Sequence, residues 1–304
     1  MASYSDIFNF NIKILTLFGY WGLKTRNKYK NFFYGIYQCF SIFLFISFNI
    51  LQYIFLYNNR HDVEKFNLCF CLILPTNVYF LKVLIAIKKH PDINELRENL
   101  NRKAEEEIDE DCKKIFIKAE KEMKLVIASV YSIMYFFSDG FWTFMPLWSE
   151  EDKKLPYLQW FPYNYKITPY YELTYFYQVF AMFFMVTSMI SLEQVIIGFF
   201  ISLTAEYEVL ICRIKKLEAQ NKEINFEIRN KKILESIKEI VVYHQGIIPD
   251  ILKFEEIFSS SNFLQYLQGA LILAVVLLDV TVVSSKKRGS IKRRLLLSDT
   301  ANRL

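Results

Sequence analysis

The chain has 304 residues, 53% hydrophobic and 17% aromatic, with 29 Phe and 20 Tyr against 8 Gly and 7 Pro. That composition excludes a disordered chain, which is poor in aromatics, and a collagen-like or Gly/Ser-rich one. The net charge of +5, from 37 basic and 32 acidic residues, is too mild to imply a nucleic-acid partner.

A bilayer core about 30 Å thick needs roughly 20 mostly apolar helical residues. Five runs meet that length, and they predict an all-α, multi-pass transmembrane helical bundle. The first, 32–57, holds no charged residue and no polar face, so it does not suit the surface of a soluble core. The second, 66–87, carries Pro75 and Lys82, and Lys82 is expected to snorkel to the headgroups. The third, 125–148, carries Asp139. The fourth, 173–203, carries Glu193, expected at a helix contact. The fifth, 263–283, ends near Asp279. Residues 1–31 show no secretory signal, so insertion is expected to rely on the first span.

Lys and Arg concentrate in cytoplasmic loops. Segments 1–31, 88–124 and 204–262 hold five, ten and nine of them, while loops 58–65 and 149–172 hold two and three. The totals, 24 against five, predict a cytoplasmic N-terminus. The basic tail 284–304 would then lie outside, against the rule, so the fifth run re-enters or the tail is a loop cut short.

Segment 88–124 is rich in helix formers with opposite charges at helical spacing, and reads as a solvated helix continuing into the third span. Its acidic cluster lacks the ligand pattern of a calcium loop. In 204–262, Leu210, Ile214 and Leu217 share one helix face, as do Ile233, Ile237, Ile240, Val241 and His244. Those apolar stripes are expected to form a helical layer packed on itself or on another subunit.

The five Cys are scattered and only three His occur, so neither a zinc site nor a disulfide framework is expected, and no cofactor. No motif of a serine hydrolase, zinc protease or P-loop enzyme is present, so the chain is not expected to be an enzyme. The paired broken helices of a secondary transporter are missing too.

The stretch from Leu155 through Pro156, Tyr157, Leu158, Gln159, Trp160 and Phe161 to Pro162, followed by Tyr170, Tyr171 and Tyr175, resembles the second outer loop and fourth-helix entry of insect odorant receptors. Asn11–Leu15 with Gly19, Tyr20 and Trp21 is similar to their N-terminal signature, although Gly22 stands where the family often has Pro. Tyr243 and His244, then Ile257, Phe258 and Ser259, then Phe263–Tyr266 resemble the approach to their fifth helix. Gustatory receptors share the plan, but the outer-loop motif favours the odorant branch.

The resemblance implies a seven-helix subunit of an odour-gated cation channel in the plasma membrane of sensory dendrites. It would assemble as a hetero-tetramer with a shared co-receptor, bind volatile small-molecule odorants within the lipid bilayer, and engage no nucleic acid. Five spans against seven imply an incomplete or short form, whose alternative role is to interfere with intact receptors. For an odorant pocket the expected residues are Tyr131, Phe136, Phe137, Asp139, Phe141 and Trp142 on the third helix, with Tyr177, Phe180, Phe184 and Thr187 on the fourth. For subunit contacts they are Leu210, Ile214, Leu217, Ile237, Ile240, Val241 and His244.

Overall fold

A computed structural model describes residues 7–22, 27–149, 152–220 and 226–301, with the backbone alone at 137–139, 218–220, 226–231, 279 and 282–301. Among the described residues the chain is helical throughout and holds no strand. A short helix α1 (Asn9–Leu17) precedes α2 (Lys28–Asn58) and α3 (Val63–Lys88). Helices α4 (His90–Glu106) and α5 (Glu110–Ile133) follow. A π-helical segment, Met134–Asp139, joins α5 to α6 (Gly140–Phe144), and a 3-10 turn at Met145–Trp148 ends that run. The long helices α7 (Tyr170–Gln220) and α8 (Phe226–Ala301) complete the chain. Among the described residues five stretches are long and apolar enough to cross a membrane: Lys28–Asn58, Val63–Lys88, Glu110–Trp148, Tyr170–Leu217 and Lys232–Leu278.

Helices α2, α3 and α7 turn polar side chains inward. Helix α2 buries Ser41, Leu44, Phe45, Phe48, Asn49 and Gln52 at three- and four-residue spacing. Phe32, Phe33, Ile36, Phe43 and Tyr57 on its other side are exposed. A soluble helix would do the reverse, because water rewards burial of the apolar stripe; hydrocarbon does not, and there small and hydrogen-bonding residues make the helix contacts. Thr76 accordingly donates to Asn49 Oδ1 at 2.8 Å across α2 and α3. Helix α3 continues through Pro75. Just past the proline the Asn77 side chain donates to the Ile73 carbonyl at 2.7 Å, one of the side-chain bonds with which membrane helices tolerate a proline.

Lys82 does not snorkel. Its ammonium is buried and donates to Glu193 Oε1 at 2.5 Å and to Gln265 Oε1 at 2.8 Å, which ties α3, α7 and α8 together. A fixed carboxylate on a neighbouring helix holds the charge better than a stretch toward the headgroups.

Segment 88–124 is two helices rather than one solvated helix. It breaks at Glu107–Asp109, where Asp109 Oδ1 accepts from the amides of Asp111 and Cys112 and caps α5. Helix α4 buries Ile93, Leu96, Leu100 and Ala104, one face repeating at helical spacing. Near the N-terminus α1 packs on α7. The Phe8 ring lies 4.5 Å from that of Phe199, tilted by 38°, and Gly198 leaves it room, since a methyl there would meet Phe8 Cε1 at 2.9 Å.

Candidate functional site

Helix α7 carries two apolar stripes, and the spacing separates them. Tyr177, Ala181, Phe184 and Ser188 recur every three or four residues and turn toward α1 and α2. Tyr177 bonds Ser47 at 2.8 Å, and the Phe184 ring lies 4.5 Å from Phe18. Phe176, Val179, Phe180, Phe183 and Thr187 form the other stripe, which faces the α5–α6 run.

Between that second stripe and the residues around the π-helical segment lies a cavity of about 280 Å³. It is lined by Tyr135, Gly140, Thr143, Phe144, Phe176, Val179, Phe180 and Phe183. A π turn inserts one extra residue per turn and rotates everything beyond it, and such turns recur at functional sites. Here it brings Thr143 and Phe144 onto the same side as Tyr135. The junction needs a glycine, because a Cβ on Gly140 would sit 2.6 Å from the Tyr135 carbonyl oxygen.

The hydroxyls below the cavity form a directed chain. Thr187 Oγ1 donates its single proton to the Phe183 carbonyl at 2.6 Å, so in its hydrogen bond with Tyr135 it accepts. Ser191 likewise donates to the Thr187 carbonyl at 2.7 Å and accepts from Tyr131 at 2.6 Å. The phenolic protons of Tyr131 and Tyr135 are therefore committed within the protein.

The segment from Leu155 to Trp160 lies over the end of the bundle and is held by specific hydrogen bonds. Gln178 is buried and makes three bonds: it accepts from the Tyr157 amide at 3.2 Å and donates to the Tyr157 carbonyl at 3.0 Å and to Gln159 Oε1 at 2.8 Å. Gln159 donates onward to the Phe48 carbonyl at 3.0 Å, and the Trp160 amide to the Leu51 carbonyl at 3.1 Å. Tyr175 donates to the Thr143 carbonyl at 2.5 Å, which fixes α6 against α7 beside the cavity.

Of the residues expected from sequence, Phe180 lines this cavity. Thr187 and Tyr131 lie below it in the hydroxyl chain. Tyr177 and Phe184 sit on the opposite stripe, and Trp142 packs against the core. Phe136 and Phe141 are exposed, at 78% and 53%. The side chains of Phe137 and Asp139 lie outside the described residues, as do those of the basic tail from 284 on. Sequence reasoning missed Tyr135, Gly140, Thr143, Phe144, Phe176, Val179 and Phe183. The α7 members fall on the i, i+3, i+4, i+7 phase that starts at Phe176 and includes Phe180; those beyond the π turn have no such signal.

A larger cavity, about 610 Å³, lies where the α4–α5 turn meets α7 and α8. Four of its charged side chains pair with one another. Arg213 bonds Glu107 at 2.7 Å and its guanidinium stacks 4.3 Å from the Tyr243 ring centre, and Lys216 bonds both Asp109 oxygens. Lys216, with the two amides that Asp109 caps, holds the Asp109 carboxyl below its ordinary range. That lining suits helix ends rather than an apolar ligand. Leu210 is buried within the chain, whereas Ile214, Ile237, Val241 and His244 are exposed and Leu217 and Ile240 partly so. Among the described residues no group of three His, Cys, Asp or Glu side chains is placed to hold a metal ion.

The model of the family described as 7tm Odorant receptor matches residues 62–293. The fold is similar to that of the insect olfactory receptor OR5 from Machilis hrabei, with a TM-score of 0.65 and 18% identity over 88% of this chain and 69% of that one. Against the same receptor in complex with eugenol the TM-score is 0.70 and the identity 19%, with the same coverage. No curated protein matches the chain. A multi-pass bundle with polar residues turned inward and an aromatic recess at one end is thus matched over more than two thirds of its sequence by a receptor family rather than an enzyme family, and the chain belongs to the 7tm Odorant receptor family.

Proposed function

We propose that this chain binds small, largely apolar odorants in the recess between α5–α6 and α7, as a subunit of an odour-gated cation channel formed with a shared co-receptor. The observation that carries the reading is the aromatic lining of that recess, five of whose eight residues are Tyr or Phe. Burying apolar ligand surface there is favourable by about 25 cal/mol per Å² without many hydrogen bonds. The similar receptor bound to eugenol supports a small-molecule ligand in this fold. The charge asymmetry of the loops supports a cytoplasmic N-terminus, with the recess toward the outer side of a plasma membrane. The exposed Ile214, Ile237 and Val241 support a subunit contact on the cytoplasmic side.

Co-expression with the co-receptor tests this. Odour-evoked current that falls when Phe180 and Phe183 are both replaced by Ala is the expected result. Absence of evoked current, together with absence of odorant binding to the purified chain, overturns it. Suppression of current from intact receptors by a silent chain would instead mark the interfering role.

A further inference from the structure

The recess is apolar but not featureless, and its hydrogen-bonding groups can be counted. Of its eight lining residues, only Tyr135 and Thr143 carry polar side-chain atoms. The Tyr135 proton goes to Thr187, because Thr187 spends its own on the Phe183 carbonyl. Tyr135 can therefore accept from a ligand but not donate to it. Thr143 differs. Its carbonyl is taken by Tyr175, and its hydroxyl makes no hydrogen bond to another described residue. The α6 backbone that carries it is fixed on one side by the Tyr175 bond and on the other by the close contact of Gly140 with the Tyr135 carbonyl, so the hydroxyl has a defined place in the wall.

We propose that Thr143 is the specificity-determining residue of the recess: its hydroxyl is the side-chain donor that recognises the single acceptor oxygen of a small, uncharged, otherwise apolar ligand such as a ketone, ester or ether. The proposal rests on the reading of the recess as the ligand site and names the ligand class for it. The chemistry follows from the count. A carbonyl or ether oxygen offers lone pairs and no proton. Buried without a donor it loses its water and gains nothing, which is the costly case for a polar group. Tyr135 cannot supply the proton and the phenylalanines and Val179 have none, so the task falls to Thr143. One such bond in an apolar wall also orients a molecule that dispersion forces alone would leave free to tumble.

The test uses the full chain in lipid nanodiscs, with binding read by quenching of its tryptophan fluorescence. Two probes share one carbon skeleton, acetophenone and ethylbenzene, so that the only variable is the acceptor oxygen. In Thr143→Val, which keeps shape and removes the hydroxyl, the ratio of the acetophenone to the ethylbenzene dissociation constant should rise about two- to tenfold over wild type, the range for one neutral hydrogen bond. In Thr143→Ser, which keeps the hydroxyl and drops the methyl, that ratio should stay at the wild-type value. An unchanged ratio in Thr143→Val, or an equal rise in both variants, overturns the assignment while leaving the recess a ligand site. If neither probe binds wild type, or if binding survives Phe180→Ala with Phe183→Ala, the recess is not the site and the assignment falls with it.

Discussion

Lys82 and Glu193 stand 111 residues apart in the chain and 2.5 Å apart in space, with the lysine side chain 1% exposed and the glutamate 32%. In hydrocarbon each charge is tolerable because of the other. Removing one partner, as in Lys82→Met, leaves a carboxylate without its counter-ion and should cost about 3 kcal/mol or more. Replacing both, Lys82→Met with Glu193→Leu, should recover most of that loss. Melting of the detergent-solubilised chain, followed by size-exclusion fluorescence, gives both values. A double variant as unstable as the single ones would mean the pair is no unit.

Gly140 sits where the π turn hands over to α6. A methyl there meets the Tyr135 carbonyl oxygen at 2.6 Å, with backbone rather than a flexible side chain as the obstacle. Gly140→Ala should therefore cost about 1–3 kcal/mol, the usual range for overpacking. It should also weaken odorant binding, because relief of the clash moves Tyr135 or Thr143. Unchanged melting and unchanged binding together would show that the π turn is not held by this contact.

Much of the architecture is legible in the amino-acid sequence, and the physical reason is the solvent. A run such as 32–57, with no charge and no polar face, fits hydrocarbon whatever its neighbours are. The loop before α7 is legible for another reason: Leu155–Pro162 is a dense local pattern, and its Gln159 and Tyr157 form the bonds that hold the segment down. What escapes depends on distant partners or on helix phase. Nothing near Lys82 announces Glu193. The recess residues on α7 follow from regular spacing, but a π turn shifts phase without Pro or Gly within it to mark the place. Phe136 and Phe141 thus fall outside while Tyr135 and Thr143 face in. The break at Glu107–Asp109 escapes because helix-forming residues run on both sides of a single capping Asp.

Asp109 both caps α5 and bonds Lys216, and two substitutions separate the roles. Asp109→Ala loses both and should cost about 1 kcal/mol. Asp109→Asn keeps a capping oxygen and loses only the charge, so it should cost less, in line with a pair in which both side chains are more than a third exposed. The carboxyl is held below its ordinary value, with the Lys216 hydrogen bond as the largest cause. Its contribution is therefore complete above the unfolded value near 4 and is lost as pH falls through the lower folded value. The gap in melting temperature between wild type and Asp109→Asn should persist at neutral pH and close in acid. A gap that widens on acidification would contradict the assignment.

Gln178 is the knot between α7 and the loop that precedes it. It is fully buried, and its amide serves the Tyr157 N–H, the Tyr157 carbonyl and Gln159 Oε1 at once. Gln178→Leu preserves volume but strands all three groups away from water, so the loop has to lift until they are hydrated. Each buried group left unmade costs about 1–3 kcal/mol, which makes the lifted state the cheaper one. Hydrogen exchange should then quicken at the Tyr157 amide, whose acceptor is gone. The Trp160 amide, bonded to the Leu51 carbonyl on α2, should stay protected. Fast exchange at both positions would show that the whole loop depends on Gln178, and slow exchange at both would show that the α2 contacts suffice to hold it.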